Sequence, residues 1–245
     1  MARASGGFPP VLKKFGQHFL NDQRVLQSIA DATGATASDT VIEIGPGRGA
    51  LTDLLVERAG KVIAVELDRA LARMLRERYA SRENVEVIEA DVLKTPLGDI
   101  AGGNYILAGN VPYYITTPII FHSLMPPLPK RAVFLVQAEV ADRMTSPAGS
   151  KEYGALSVNL QTIANVEVLM RVPASAFHPP PKVESAVVRI TPGEIPENLD
   201  LVKFRAFVQG LFGQRRKQLQ KSLRSVAELG PEQAQALLKR VDVDP

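Results

Sequence analysis

The sequence predicts an α/β fold with a seven-strand, mostly parallel sheet, helices on both faces and a small all-helical region at the C-terminus. Three observations lead to this prediction. Short apolar runs alternate with stretches of helical periodicity as far as residue 190, which is typical of a parallel sheet. A turn-rich segment containing proline and glycine follows at residues 192–196. Beyond this segment the pattern is helical only.

Seven short runs rich in Val, Ile and Leu are the predicted strands. The run at residues 61–66 is apolar at its four inner positions, as expected of a strand that helices cover on both faces. Ligands bind such sheets outside the carboxyl ends of the strands. The predicted strands are residues 41–44, 61–66, 85–90, 105–108, 131–137, 166–172 and 183–190.

The predicted helices show apolar residues three or four positions apart. Leu71 and Leu75, for example, share one face of a helix. Asn21 or Asp22 can cap the first helix through a side-chain oxygen. The helices predicted before the turn-rich segment are residues 22–32, 50–59, 68–79, 116–124, 138–145 and 153–164, and further helices with turns at Gly213 and Gly230 fill residues 200–240.

The turn-rich segment divides the chain into two predicted domains. The larger domain comprises residues 1–192, and its first 14 residues have no apolar period and are expected to form a flexible arm. The smaller, helical domain comprises residues 193–245.

The composition excludes several classes of protein. Of the 245 residues, 45% are apolar and 22% are charged, which favours a packed core over disorder. There is no cysteine, so disulfides and thiolate chemistry are excluded. The three histidines are widely separated, so no metal site is expected. Because the sequence shows neither a signal peptide nor a long apolar run, we expect a cytoplasmic protein without a membrane partner.

The positive charge is concentrated near the C-terminus. Residues 201–240 contain nine Lys or Arg and two acidic residues, whereas residues 1–200 contain 20 basic and 22 acidic residues. The imbalance favours an anionic partner, and a solvated helical face explains it equally well. Within this region, Arg215, Arg216, Lys217 and Lys221 are the candidate residues for binding such a partner, and a helix is expected to begin after Gly213.

Three glycines join the first predicted strand to the helix that follows. Without a Cβ atom, Gly45, Gly47 and Gly49 can take positive φ angles and allow a ligand to lie against backbone N–H groups. The N-terminus of the next helix directs further free N–H groups to the same place. Glu43 stands two positions before the first glycine.

The spacing of these glycines, G-x-G-x-G, differs from the dinucleotide pattern G-x-G-x-x-G. With the preceding acid, it resembles the first motif of the class I S-adenosylmethionine-dependent methyltransferases, which have a Rossmann-like sheet. The alternative is a tight strand–helix turn that binds no ligand.

Polar side chains end three successive predicted strands. Glu66 follows the second strand, and its carboxylate suits the two hydroxyls of a ribose. Asp91 follows the third and suits an adenine amino group, and Asn110 follows the fourth. Each of the three can instead cap the next helix, but their order after a glycine-rich turn favours a binding site.

The segment Asn110-Val111-Pro112-Tyr113 resembles the N/D-P-P-Y/F signature of enzymes that methylate an exocyclic amino group of a nucleobase. The lone pair of that nitrogen is delocalised into the ring. Two hydrogen-bond acceptors aimed at its N–H groups favour a pyramidal nitrogen that can attack a methyl group. The Asn110 side chain can be one acceptor, and the backbone carbonyl of Val111 or Pro112 the other. Tyr113 offers a ring for base stacking.

Two further segments narrow the resemblance. F-G-Q-H-F-L-N-D at residues 15–22 and F-H-P-P-P-K-V-E-S-A-V at residues 177–187 resemble the corresponding segments of the ribosomal RNA adenine dimethyltransferases of the KsgA type. This family dimethylates two adjacent adenosines in a loop near the 3′ end of small-subunit rRNA. The resemblance covers about residues 13–225 and implies S-adenosylmethionine as cofactor, S-adenosylhomocysteine as product and a helical RNA-binding domain.

The resemblance also implies which residues form the site. The catalytic candidates are expected to surround the target base, and they are Asn110, Pro112, Tyr113 and Phe177. Phe177 is expected to be the stacking face opposite Tyr113. The cofactor candidates are Gln17, His18, Leu20, Glu43, Gly45, Gly47, Glu66, Leu67, Asp91, Val92 and Asn110. The expected partner is rRNA within a ribosomal particle, bound by a monomer that uses no metal.

Other interpretations use the same features. A related enzyme of the macrolide-resistance type, which methylates large-subunit rRNA, shares the N-x-P-Y segment. A non-catalytic RNA-binding assembly factor could retain the same scaffold. A nicotinamide-dependent dehydrogenase is the weakest alternative because its glycine spacing differs.

Overall fold

Residues 18–214 and 217–243 are described by the computed structural model, and within them seven strands form one sheet. The strands of this sheet are β2 Thr40–Ile44, β3 Lys61–Glu66, β4 Val85–Glu89, β5 Tyr105–Asn110, β6 Arg131–Gln137, β7 Ala164–Val172 and β9 Ser185–Pro192, and a separate two-stranded pair comprises β1 Phe19–Leu20 and β8 Phe177–His178. The strand order in the sheet is β4-β3-β2-β5-β6-β9-β7, which confirms the predicted seven-strand sheet.

The carboxyl ends of the central strands meet at one edge of the sheet. Ile44 at the end of β2 is in register with Val65 on one side and with Gly109 on the other, and both pairings are parallel. Along the chain, β3 and β4 extend the sheet to one side of β2, and β5 then returns to its other side. The point at which the strand order reverses is where such sheets open a ligand crevice. Within the described sheet, only β9 runs in the opposite direction.

Strand β5 continues two residues beyond its predicted end, as far as Asn110. A Cβ atom at Gly109 would lie 2.4 Å from the carbonyl oxygen of Ile44, so the close approach of β5 to β2 requires a residue without a side chain. The glycine therefore allows pairing to continue and brings Asn110 to the edge of the sheet.

Alternating strand residues build two cores, one on each face of the sheet. Ile42, Ile63 and Leu107 belong to one core, and their neighbours Val41 and Val62 belong to the other. Helices cover both faces, as predicted. The helices around the sheet are α1 Gln23–Thr33, α2 Ala50–Val56, α3 Arg69–Arg78, α4 Leu97–Ala101, α5 Thr116–Ser123, α6 Ala138–Thr145 and α7 Ala155–Gln161.

Aspartates cap several helices, and the cap at Asp22 is one of the two that the sequence predicted. The Asp22 carboxylate accepts a hydrogen bond from the backbone N–H of Arg24 at the start of α1 (2.9 Å), and Asp68 accepts one from Ala70 at the start of α3 (2.8 Å). Each such cap stabilises its helix by about 1 kcal/mol.

Three further helices follow the sheet: α8 Leu201–Phe212, α9 Leu219–Val226 and α10 Pro231–Arg240. Leu223, Ala234 and Leu238 form a small core between the last two. Leu201, at the start of α8, instead packs into a core of the sheet. The domain boundary near residue 193 therefore stays a prediction.

A second contact joins α8 to the rest of the protein. The Arg205 guanidinium lies 4.3 Å from the ring centroid of Phe121 and donates a hydrogen bond to the Phe121 carbonyl (3.3 Å) near the end of α5.

Among the described helices, none is long and apolar enough to cross a bilayer.

Candidate active site

A cleft with a volume of about 130 Å³ opens at the carboxyl ends of β2, β3 and β5. Its wall is formed by the turns that follow these strands and by the short segment of β1. Most of the predicted site residues line it. They are His18, Gly45, Gly47, Glu66, Leu67, Asp91, Val92, Asn110, Pro112 and Tyr113.

The glycine-rich turn has the backbone conformation that its sequence predicted. Gly45, Gly47 and Gly49 have φ angles of 67°, 58° and 84°, in the left-handed region. A Cβ atom at Gly49 would also lie 2.8 Å from the Tyr79 hydroxyl, so a larger residue is excluded there by two effects. Helix α2 begins directly after Gly49, and its N-terminus closes the turn.

Glu66 is held by two backbone N–H groups. One carboxylate oxygen accepts a hydrogen bond from Gly47 (3.0 Å) and the other from Asp68 (2.9 Å). Burial raises the pKa of the Glu66 carboxyl, and these two hydrogen bonds act in the opposite direction. Each oxygen has a second lone pair, so the carboxylate can still accept two hydroxyl donors from a ligand in the cleft.

Asp91 both caps a turn and lines the cleft. Its Oδ1 accepts a hydrogen bond from the Leu93 backbone (3.0 Å) and begins the short 3-10 helix Val92–Lys94. In the described part of the chain, Oδ2 has no hydrogen-bond partner. The apolar side chains of Leu67 and Val92 line the same cleft, and Leu67 is 48% exposed. Together these residues provide an acceptor and apolar walls for a flat heterocycle.

The orientation of the Asn110 side chain is determined by its partner. Its amide lies 2.9 Å from the backbone carbonyl of His18. A carbonyl can only accept a hydrogen bond, so the atom facing it is the Nδ2 donor. The Oδ1 oxygen is thereby left as an acceptor, and no described residue donates to it.

Two backbone carbonyls were candidates for the second acceptor, and their surroundings differ. The Pro112 carbonyl accepts hydrogen bonds from the Ile115 N–H (3.2 Å) and the Thr116 hydroxyl (3.1 Å). The Val111 carbonyl accepts none from the described residues. The Val111 carbonyl is therefore the better candidate, and Pro112 contributes rigidity and a turn.

Tyr113 is held on two sides. Its hydroxyl lies 2.6 Å from the Ser185 hydroxyl at the start of β9, and its ring stacks on the His18 ring with 5.9 Å between the centroids and 22° between the planes. Burial raises the pKa of the Tyr113 hydroxyl, so the phenol stays neutral at physiological pH. One ring face is covered by His18, and the other face is the one that can receive a base.

The pairing of β1 with β8 brings together two motifs that are far apart in the sequence. Phe19 pairs with His178 and Leu20 with Phe177 in an antiparallel register. The His18 ring Nδ1 lies 2.8 Å from the Pro179 carbonyl and donates to it. Residues 18–20 are thereby attached beside the cleft.

This pairing places two predicted site residues away from the cleft. Leu20 and Phe177 are register partners, and both point into the core on the α1–α2 face, where they are 5% and 4% exposed. Neither side chain lines the cleft, so the roles of Phe177 as a stacking face and of Leu20 as a cofactor contact gain no support from this geometry and stay predictions. Successive strand residues point to opposite sides, and it is Phe19 that reaches the cleft.

Glu43 also lies outside the cleft, in the sheet below the glycine-rich turn. It is 1% exposed, and burial raises the pKa of its carboxyl to about 8, with a further contribution from the nearby Glu66. Its Oε2 is buried without a hydrogen-bond partner among the described residues. Glu43 does not line the cleft, and its role as a cofactor contact stays a prediction.

The remaining candidates lie elsewhere. Lys217 and Lys221 are exposed, and Lys221 is in the first turn of α9. The prediction that a helix begins just after Gly213 is wrong, because α9 begins at Leu219. Gln17, Arg215 and Arg216 lie outside the described residues. In residues 18–214 and 217–243 no group of three His, Asp or Glu side chains could hold a metal ion.

Among the residues of the site that sequence analysis missed are Phe19, Tyr114 and Ser185. A Cβ atom at Gly47 would lie 3.1 Å from the Phe19 ring. The Arg48 guanidinium lies 4.3 Å from the centroid of the same ring. All three belong to or adjoin segments that the resemblance had marked, so their positions were signalled although their contacts were not.

Comparison with known proteins identifies the family. The family described as Ribosomal RNA adenine dimethylase matches residues 11–245. The Ribosomal RNA small subunit methyltransferase A of Acidobacterium capsulatum is 45% identical over 230 residues, which cover 92% of this chain and 80% of that protein.

Two solved structures resemble the chain over most of its length. A dimethyladenosine transferase from Plasmodium falciparum superposes with a TM-score of 0.77 at 29% identity and covers 93% of this chain and 83% of its own. The 23S rRNA methyltransferase ErmE superposes with a TM-score of 0.71 at 29% identity and covers 92% and 91%. The chain belongs to the ribosomal RNA adenine dimethylase family.

Proposed function

We propose that this chain transfers methyl groups from S-adenosylmethionine to the exocyclic amines of two adjacent adenosines in a hairpin loop near the 3′ end of small-subunit rRNA. The observation that carries the proposal is a pair of acceptor oxygens, Asn110 Oδ1 and the Val111 carbonyl oxygen. Neither oxygen accepts a hydrogen bond from the described residues, and both residues line the cleft beside Tyr113. Family membership supplies the class of reaction.

The residues of the cleft suit the cofactor. S-adenosylmethionine supplies a methyl group on a positively charged sulfur. Glu66 would hold the ribose hydroxyls on the lone pairs that its two backbone contacts leave unused. Asp91 Oδ2 would accept a hydrogen bond from the adenine amino group, and Leu67 and Val92 would provide the apolar walls. His18, Gly45 and Gly47 complete the wall, and the glycines allow close approach to the backbone.

The target amine is aligned by two acceptors. One N–H donates to Asn110 Oδ1 and the other to the Val111 carbonyl, which directs the nitrogen lone pair away from both. The Nδ2 contact with His18 holds Oδ1 in place before the base arrives, so little reorganisation is needed. No strong base is required, because the amine becomes acidic only as the new C–N bond forms, and its proton then passes to water.

The second transfer uses the same acceptors differently. A monomethylated amine has one N–H left, so only one of the two oxygens receives a hydrogen bond. The methyl group already present must occupy the side of the other. The uncovered face of Tyr113 holds the base in the same plane in both transfers.

The relatives favour the small subunit as substrate. The relative at 45% identity is named for the small ribosomal subunit, whereas ErmE, named for 23S rRNA, is 29% identical. We therefore prefer the small-subunit substrate to the macrolide-resistance activity. A purely structural role in assembly would not need the arrangement of acceptors around Asn110.

The helical domain of residues 193–245 is proposed to hold the RNA through phosphate contacts, while the cleft selects the base. Lys217 and Lys221 are exposed and can approach the backbone of a nucleic acid. Arg215 and Arg216 are assigned to the same surface from the sequence. The acting species is proposed to be a monomer, and the natural substrate to be rRNA within a ribosomal particle.

Labelled methyl transfer tests the proposal. Purified chain is incubated with radiolabelled S-adenosylmethionine and unmethylated small-subunit particles, with large-subunit particles as control, and the modified bases are mapped. We expect dimethyladenosine at two neighbouring positions near the 3′ end of the small-subunit rRNA. Label in the large subunit alone would assign the chain to the other activity. Absence of label in both would contradict enzymatic function.

A further inference from the structure

Four aromatic side chains among the described residues line the cleft, and three of them contact another ring or a cation. His18 and Tyr113 stack on each other, and Phe19 lies under the Arg48 guanidinium. Tyr114 is 57% exposed. Within residues 18–214 and 217–243 its ring stacks on no other ring or cation, and its hydroxyl has no hydrogen-bond partner. A large aromatic side chain is thus presented to the solvent at the mouth of the site.

The local backbone determines where Tyr114 can act. Tyr113–Ile115 is a 3-10 turn. Because such a turn has three residues per revolution, successive side chains point about 120° apart. A base lying on the uncovered face of Tyr113 therefore cannot also lie on Tyr114. The ring of Tyr114 is therefore available only to a group outside the position that Asn110 and Val111 define.

The chemistry of the proposed reaction identifies that group. To reach Asn110, the target adenine must leave its stack with the bases on either side, which exposes a base face on its neighbour. An exposed tyrosine at the mouth of the cleft can replace the lost stacking partner without reading the sequence.

We propose that Tyr114 is the stacking platform for the nucleobase next to the target adenosine. This inference rests on the proposed function. In a substrate with two adjacent target adenosines, the occupant of the platform is the other adenosine. Tyr114 then maintains the register of the RNA while one base is in the cleft, which makes it a residue that positions substrate and sets specificity rather than one that touches the reacting atoms.

Fluorescence of 2-aminopurine tests the platform directly. A synthetic RNA stem-loop carries 2-aminopurine either at the target adenosine or at its neighbour, and S-adenosylhomocysteine is present so that no transfer occurs. Stacking quenches this base. We expect the wild-type chain to quench the neighbour probe, Tyr114→Ala to leave it unquenched, and Tyr114→Phe to restore quenching. Tyr114→Leu, which is apolar but not aromatic, should behave like the alanine variant.

Two outcomes overturn the inference. One is an equal signal from the neighbour probe with wild type and Tyr114→Ala. The other is a change at the target probe with Tyr114→Ala, which would place the ring on the target base itself. Each outcome is read at saturating RNA, with thermal melting to show that the variants are folded.

Kinetics provide a second readout. Loss of one stacked base corresponds to about a 5- to 150-fold loss in RNA affinity, so Tyr114→Ala should raise the KM for RNA by at least about fivefold. The Kd for S-adenosylmethionine should stay within about twofold, and Tyr114→Phe should restore the KM. If the KM of Tyr114→Ala for RNA is unchanged, the proposed stacking role of Tyr114 is wrong. The proposed function is still supported in that case if the wild-type chain methylates rRNA. Failure of the wild-type chain to methylate rRNA instead contradicts the proposed function.

Discussion

The Asn110 side chain donates a hydrogen bond to the backbone carbonyl of His18, 92 residues earlier in the chain (2.9 Å). The residue proposed to align the target amine is thus oriented by the segment that adjoins the cofactor wall. Replacing Asn110 removes an acceptor and also releases this segment, whereas the backbone of β5, paired on both sides, stays in place.

Asn110→Ala should reduce single-turnover methyl transfer by about 10²–10³-fold, because a preorganised contact to the reacting group is lost. Binding of RNA, measured by filter retention, should remain near the wild-type level, since most RNA contacts lie elsewhere. Asn84→Ala is a matched control, because this asparagine caps the Val56 carbonyl (3.0 Å) and does not line the cleft. Transfer near the wild-type rate by Asn110→Ala would contradict the alignment role.

Glu66→Ala should weaken S-adenosylmethionine binding by about 1.5–3 kcal/mol in calorimetry, because the ribose hydroxyls lose a charged acceptor. The Gly47 and Asp68 N–H groups also lose their partner, which loosens the glycine-rich turn. Glu89→Ala, at the end of the neighbouring strand and in an exposed ion pair with Arg76, is the control. If the folded Glu66 variant binds with unchanged affinity, the ribose assignment is wrong.

The buried Glu43 should make stability depend on pH. Its carboxyl keeps its proton up to about pH 8 in the folded protein, compared with a value of 4.5 for the unperturbed group. Between these two values the folded state binds more protons than the unfolded state. Raising the pH from 5 to 8 therefore lowers the contribution of Glu43 to the free energy of unfolding, and the folded protein becomes less stable.

Glu43→Gln removes this titration and should gain stability relative to wild type as the pH rises from 5 to 8, measured by urea unfolding at several pH values. Glu57→Gln, in an exposed ion pair with Arg82, serves as the surface control. A difference between Glu43→Gln and wild type that is the same at every pH would show that the Glu43 carboxyl does not titrate in this range.

Replacing Arg215, Arg216 and Lys217 together with alanine should weaken RNA binding to a similar extent for all RNA sequences. The slope of log affinity against log salt concentration should become shallower by about two units. The physical reason is that each phosphate contact releases counterions. Cofactor affinity should not change. Lys61→Ala is the matched control, because Lys61 pairs with Glu86 (2.8 Å) at the amino end of β3, away from the cleft. An unaltered slope in the triple variant would exclude this surface.

The strands were predictable because their apolar runs reflect burial on both faces. The turn after β2 was predictable because positive φ angles require glycine, and Glu66, Asp91 and Asn110 were predictable because parallel strands align their carboxyl ends. The start of α9 was misplaced because the cationic run was assumed to be helical, although the first apolar residue after Gly213 is Leu219.

The orientation of some site residues could not be predicted, for a different reason. Whether Leu20 and Phe177 face the cleft or the core depends on the β1–β8 register, which joins residues more than 150 positions apart. No local pattern contains that information. The preference for the Val111 over the Pro112 carbonyl likewise depends on contacts with the following turn. There the Thr116 hydroxyl donates a hydrogen bond to the Pro112 carbonyl.

The β1–β8 pair has only two residues in each strand, yet it ties down the segment that orients Asn110 and covers Tyr113. A pairing this short opens at a lower free energy than the seven-strand sheet beside it. On gradual heating, catalysis should therefore fail before the protein melts, through detachment of this segment. Amide hydrogens of Phe19 and Leu20 should exchange with solvent faster than those of β2, and cofactor should slow that exchange.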